Sequence, residues 1–361
     1  MYLIKMKITK LSLLSLICLC LVTSLVACAP TPKTKIVVFA AGSLIKPFSE
    51  IEQAFEARYP EFDLQMEYHG SIQVIRHVTD LHESIDVVAS ADQSLIPMLM
   101  YSTAHPNTGK PYASWYISMA SNKLAIAYTP TSKYASEINQ NNWSEVLSRP
   151  DVRVGISDPR FDAVGYRQLM VFALAQQLNQ DDQIFNTFLD GQFTNPIKLV
   201  DLGDMQIIRI PELLETASGA HLVMRGSSIA LNSLLQAGEI DYAFEYQSVI
   251  AQQGFEMLSL PPELNLGDSA QEAFYNRVTV QLDFQRFKSV NPVFKGETIK
   301  YGLTIPQNAP NLAGAIQFIT FLYGEEGQKL MLANSHPIII PLQADAIDQL
   351  PETLKALMSQ Q

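Results

Sequence analysis

The sequence predicts an α/β fold of two lobes with a ligand cleft between them, and three observations lead there. The chain opens with a leader that sends the remainder out of the cytoplasm. That remainder has about 330 residues, room for two lobes of ordinary size. It twice alternates short apolar runs with amphipathic ones, the pattern of strand–helix–strand units around a largely parallel sheet.

Lys5, Lys7 and Lys10 precede an apolar run from Leu11 to Ala27 that ends in Leu25-Val26-Ala27-Cys28. A charged start, a short apolar stretch and small residues before a cleavage point describe a secretory signal peptide over residues 1–27. The ending looks like a bacterial lipoprotein signal, with Cys28 lipidated as the new N-terminus and residues 28–34, stiffened by Pro30 and Pro32, as a tether. The alternative is one uncleaved membrane anchor, for which the run is near the lower length limit. Either way the expected location is extracytoplasmic, tied to a membrane surface.

Charge and cysteine usage exclude several classes. The chain has 25 basic and 36 acidic residues, and the leader carries three of the lysines and none of the acids. No basic stripe remains to neutralise phosphates, so nucleic acid is not an expected partner. A small anion would have to be held by local dipoles. All three cysteines (Cys18, Cys20 and Cys28) lie in the leader or at its end, so the rest offers no disulfide, thiol chemistry or cysteine-bound metal.

In chain order, Lys35–Ala41 reads as a buried strand, leading through Gly42-Ser43 into a helix to about Arg58. Asp63–Tyr68 is a second strand, Ser71–Leu81 a helix and Ile85–Ala89 a third strand. The second unit has strands at Leu124–Tyr128 and Val152–Ile156, a short helix at Trp143–Leu147 and a long one at Gly165–Leu178. Strands at Leu222–Met224 and Ile240–Phe244 flank a helix at Ile229–Ala237. Strands at Val278–Leu282 and Ile299–Ile305 lead to a closing helix from Pro310 to Leu322. The stretch between Gln192 and Gly226 matches no family motif. Lobe I is expected from 35–122 and 275–361, and lobe II from 123–274, with the return crossing between about Phe274 and Ile299.

Ligands in open α/β sheets sit outside the carboxyl ends of strands, by helix N-termini. Gly42-Ser43 and Gly70-Ser71 each come after a strand and open a helix, where a hydroxyl and N–H groups favour an anion. Asp162 lies at the start of the long helix, a position that an ordinary N-cap would also explain. Glu245, on an apolar strand between Phe244 and Tyr246, needs a partner or a function. Tyr246 is a candidate donor, and Tyr166 and Tyr275 are weaker ones. Trp115 and Trp143 read as packing residues.

The segments VVFAAGSLIKPFSEIEQAFEARYP, IDVVASAD, DPRFDAVGYR, GEIDYAFEYQSV and LPPELNLGD, in this order with a Gly-Ser junction after the first, resemble the molybdate/tungstate-binding proteins of ABC importers, in the branch best known from archaea. That resemblance implies the type II periplasmic-binding fold, an oxyanion held between the lobes, an ABC permease with its ATPase as partner, a monomer, no cofactor and no enzymatic activity. It also implies ligand contacts from Gly42, Ser43 and Ser71 of one lobe, and from Asp162, backbone groups of Ala163 and Val164, Glu245 and Tyr246 of the other. Asp162 and Glu245 would reach the molybdenum or tungsten itself. Arg160 and Phe161 stand where the family carries small polar residues. Another small anion is the alternative ligand, and a hydrolase using the carboxylate pair is the alternative from a different class.

Overall fold

A computed structural model describes residues 32–283 and 292–360. The expected signal peptide and Cys28 lie outside the described residues, among which no helix is long and apolar enough to cross a membrane.

The chain begins with β1 (Thr34–Ala41), α1 (Ile45–Arg58), β2 (Phe62–His69), α2 (Ser71–Thr79), β3 (Val87–Ser90) and β4 (Ile117–Ser121). Next come β5 (Leu124–Tyr128), α3 (Trp143–Leu147), β6 (Val154–Ser157), α4 (Ala163–Asn179), α5 (Ile184–Leu189), β7 (Lys198–Asp201), β8 (Gln206–Ile210) and β9 (Leu222–Arg225). After these stand α6 (Ser228–Gln236), β10 (Tyr242–Tyr246), α7 (Gln247–Gln253), β11 (Glu256–Ser259), α8 (Glu272–Tyr275), β12 (Val278–Leu282) and β13 (Val293–Lys295). The last elements are β14 (Lys300–Thr304), α9 (Leu312–Leu322), α10 (Glu325–Ala333), β15 (Ile338–Ala344) and α11 (Glu352–Gln360).

One lobe is built on a six-stranded sheet of order β15-β4-β14-β3-β1-β2, the other on a five-stranded sheet of order β11-β5-β10-β6-β9. In each, a parallel trio (β2-β1-β3 and β9-β6-β10) carries the expected strand–helix–strand units. Antiparallel strands then join, β14 beside β3 and β5 beside β10, so both sheets are mixed and not largely parallel. Of these two, β5 directly follows the passage from the first sheet and β14 follows the return to it, so neither is reached by a helical crossover within its own sheet.

Asn122-Lys123 joins β4 of one sheet to β5 of the other. A third sheet, β13-β12-β8-β7, was not legible beforehand. Because β12 pairs with β8 at Val278–Leu282, the segment after 275 stays with the second lobe. We therefore draw the return crossing between Lys295 and Lys300, later than residue 275.

Helix α4 lies between the second and third sheets, touching β6, β10, β8 and β12. Its residues from Ala163 to Gln176 are all buried, so it is enclosed on every side and not only on one stripe. Phe172 on this helix stacks on Phe188 at 4.2 Å and meets Phe244 edge-on at 5.5 Å, with Trp143 stacked on Phe188 at 5.8 Å. This aromatic block fixes α4, and hence its N-terminus. Phe172→Ala should lower the stability of the second lobe by about 3–5 kcal/mol, measured as an earlier urea transition in the fluorescence of neighbouring Trp143.

Candidate functional site

The carboxyl ends of β1, β2 and β3 and the starts of α2, α4 and α6 converge on one small enclosed cavity between the lobes. Lobe I supplies Ala41, Gly42 and Ser43 after β1, His69 and Ser71 around the β2–α2 junction, and Ala91 after β3. Lobe II supplies Asp162, Ala163, Ser228 and Tyr246. Ser71, Ala163 and Ser228 are each the first residue of their helix, so three helix N-termini face the same space. Among the described residues, no lysine or arginine lines it. Its positive potential comes from N–H groups and helix dipoles.

The hydroxyls are set by their second partners. Ser71 Oγ accepts from Ala91 N–H at 3.0 Å, which leaves its own proton free to turn into the cavity. Ser43 Oγ is 2.8 Å from Tyr301 OH, and that phenol accepts from Asn122 Nδ2 at 3.1 Å. A chain of donors thus runs from the first crossing to the cavity wall. Gly42 and Gly70 are required where the lobes meet: a Cβ at Gly42 would lie 2.8 Å from Ile229 Cγ1, and one at Gly70 would lie 2.6 Å from Phe161 O. Beside Gly70, Ile72 N–H donates to Phe161 O at 3.2 Å, a main-chain bond across the cleft.

Asp162 is the N-cap of α4. Its Oδ1 accepts from Val164 N–H at 2.8 Å and from Ser157 Oγ at 3.1 Å, and its Oδ2 from Ser228 N–H at 3.4 Å. Burial nonetheless pushes its carboxyl above the usual carboxylate range, against the pull of these donors. Glu245 is 1% exposed and does not line the cavity. Its Oε1 accepts from Tyr246 N–H at 2.8 Å, while Oε2 and both side-chain polar atoms of nearby Asn232 make no hydrogen bond. Burial first, and the charge of Asp162 in addition, push the Glu245 carboxyl up to about 8, against the pull of the Tyr246 N–H and of the Ser228 and Asn232 side chains.

Of the residues singled out from sequence, Gly42, Ser43, Ser71, Asp162, Ala163 and Tyr246 come together around the cavity, with Glu245 behind it. Val164 stands apart from these. Its N–H is occupied by the Asp162 cap and it does not face the cavity. Tyr275 lies elsewhere, its hydroxyl donating to Pro262 O and accepting from Asp268 N–H. Arg160 is paired with Asp158 at 2.6 Å and donates to Glu212 O. Trp115 and Trp143 are buried packing residues. Sequence reasoning missed His69 and Ser228. Ser228 carries the same signal as the two Gly-Ser junctions, a small-residue turn (Gly226-Ser227) between a strand and a helix, and His69 directly precedes one of those junctions.

The two-lobed type II fold and the polar cavity between its lobes define a solute-binding protein. The chain belongs to the bacterial extracellular solute-binding protein family, which it matches over residues 36–334. It is 38% identical to an uncharacterized solute-binding protein of Petrotoga mobilis, over 89% of each chain. It is 36% identical to the molybdate/tungstate-binding protein of Pyrococcus abyssi, over 90% of each chain. It is 35% identical to the protein of the same name in Thermococcus kodakarensis, over 90% of this chain and 88% of that one. Among solved structures it shares the fold of the sulfate-binding protein SubI of Mycobacterium tuberculosis, with a TM-score of 0.54 at 14% identity, over 85% of this chain and 88% of that one. It also shares that of the Azotobacter vinelandii periplasmic molybdate-binding protein, with a TM-score of 0.50 at 15% identity, over 83% and 98%.

The buried Glu245 gives a pH signature. Unfolded, a glutamate titrates near ~4.3, whereas the folded carboxyl titrates at about 8. Between those values the folded chain holds the extra proton, so this group's contribution to stability falls as pH rises, by about 1.4 kcal/mol per unit. Urea titrations should therefore show Glu245→Gln gaining stability relative to the ligand-free wild type from about pH 5 to 8. A constant difference over that range would mean that Glu245 is not shifted.

Proposed function

We propose that this chain captures molybdate or tungstate outside the cytoplasm and delivers it to an ABC permease with its ATPase, working as a monomer anchored through a lipid on Cys28. The observation that carries the reading is the convergence of three helix N-termini and the Ser43, Ser71 and Tyr246 hydroxyls on a cavity that adjoins two buried carboxylates.

Neutral donors alone would suit any tetrahedral oxyanion. The carboxylates narrow the choice. Two unit charges of like sign 4 Å apart repel by about 4 kcal/mol at an effective dielectric constant of roughly 20, so Asp162, and Glu245 wherever it is ionised, work against sulfate or phosphate. Molybdenum(VI) and tungsten(VI) accept additional hard oxygen ligands, whereas the sulfur of sulfate does not. A carboxylate that reaches the metal turns the repulsion into a bond, and the same two residues then select against the commoner anions. The unpartnered Oε2 of Glu245 is the atom suited to that task. Relatives at 35–36% identity that carry the name molybdate/tungstate-binding protein support the same ligand.

Calorimetric titration with tungstate, molybdate, sulfate and phosphate tests this, with binding expected for the first two alone. Glu245→Gln keeps the shape and a hydrogen-bond donor but loses the metal-ligating oxygen pair, so tungstate affinity should drop by at least roughly tenfold. Undiminished affinity in that variant would instead mean that Glu245 serves as a neutral donor. Gly70→Ala, whose methyl would collide with Phe161 O, should weaken capture by holding the lobes apart, read by the same titration.

A further inference from the structure

Beside the cavity, and not lining it, lies a buried group of contacts between the lobes to which the proposed function assigns nothing. Asp92 lies just after β3 in the first lobe, and Tyr166 and Arg167 stand near the start of α4 in the second. The Tyr166 hydroxyl donates to Asp92 Oδ2 at 2.5 Å, and Arg167 Nη2 lies 3.4 Å from that same oxygen. Arg167 Nη1 donates to Ala91 O at 2.9 Å and to Tyr246 OH at 2.5 Å. All three side chains are almost wholly buried.

Both halves are held ready by their own lobes. Asp92 Oδ1 accepts from Ser94 N–H at 2.9 Å and from Ser94 Oγ at 2.7 Å, so the loop after β3 fixes the carboxylate and presents Oδ2 to the other lobe. The Tyr166 ring stacks on Phe294 at 4.3 Å and 5°, which fixes the hydroxyl that meets it. Gly165 lets this turn of α4 lie against the end of β6, where a Cβ would fall 2.2 Å from Ser157 O.

Arg167 also reaches the cavity wall. A guanidinium offers donors only, so Tyr246 OH accepts from it and the phenolic proton is directed elsewhere. Tyr246 lines the cavity, and that proton is then available to an oxyanion there.

We infer that Asp92, Tyr166 and Arg167 form a latch that holds the lobes closed, and that Arg167 is a positioning residue which ties closure to the presentation of the Tyr246 hydroxyl. The latch itself depends only on contacts within the chain, while its effect on ligand release rests on the proposed capture of an oxyanion. Opening the lobes separates Asp92 and Ala91 from Arg167 and lets water reach a guanidinium otherwise enclosed. The latch therefore acts on how long a ligand stays and little on how fast it arrives.

The test compares the wild type with Asp92→Asn and with the gentler Tyr166→Phe, which keeps the ring stack and charge balance should Asp92→Asn fail to fold. Stopped-flow measurement with sodium tungstate should give dissociation faster by roughly tenfold or more in Tyr166→Phe, with association nearly unchanged. A merely structural role would lower the melting temperature and leave that split unmoved. Wild-type dissociation in Tyr166→Phe overturns the latch. If the wild type takes up no tungstate, the oxyanion reading fails by itself and X-ray scattering of the ligand-free proteins decides. A larger radius of gyration in either variant then upholds the latch, and an unchanged radius overturns it.

Discussion

Two carboxylates buried beside each other, with no lysine or arginine among the described residues of the cavity wall, set the terms for the rest of the site. Burial holds the proton on Glu245 up to about pH 8 and raises the Asp162 carboxyl as well, and both groups depend on oriented N–H and O–H groups. Asp162 obtains them by capping α4, with the Ser157 hydroxyl and the start of α6 added. Glu245 has only the Tyr246 N–H completed. Removing both acids from water is unfavourable, and the enclosure of α4 between two sheets is what holds them in place against it. Stability in this lobe comes from the aromatic block around Phe172, some distance along the same helix, so the site itself can be left incompletely satisfied.

The donors obey the same constraint. A lysine or arginine on the wall would hold any anion through charge alone and would pair with Asp162 and Glu245. Hydroxyls oriented by second partners, such as Ser71 by Ala91 and Ser43 by Tyr301, supply directed protons without that competition. Arg167 is set back by a side-chain length and meets the cavity through the phenol of Tyr246.

Much of this was legible in the sequence, because it is local. Strand–turn–helix junctions announce themselves by small residues, so Gly42-Ser43, Gly70-Ser71 and the Asp162 cap could be placed before any coordinates. The strands of both parallel trios were found at nearly their observed positions. What was hidden is what depends on distant pairing. β7 and β8 are short strands that pair with each other, and β8 takes its second partner, β12, from far along the chain. No periodicity within either segment reports that. The return crossing, expected between about Phe274 and Ile299, could not be narrowed from the sequence for the same reason. That the Val164 N–H goes to the Asp162 cap is also visible only in the cap geometry. Asp92 and Arg167 are likewise ordinary in their own segments and acquire meaning only across the cleft.

The two crossings at Asn122-Lys123 and Lys295–Lys300 have a kinematic consequence. Lobe II is braced internally by α4 and its stacked rings, and lobe I by its six-stranded sheet. Two pieces tied at two points retain a single free coordinate, the angle about the line through those points. Such a joint cannot report which atoms were bound, only how far it has turned. A partner that docks on both lobes at once would read that angle, and anything that stops the rotation a few degrees short would be invisible to it, however tightly held.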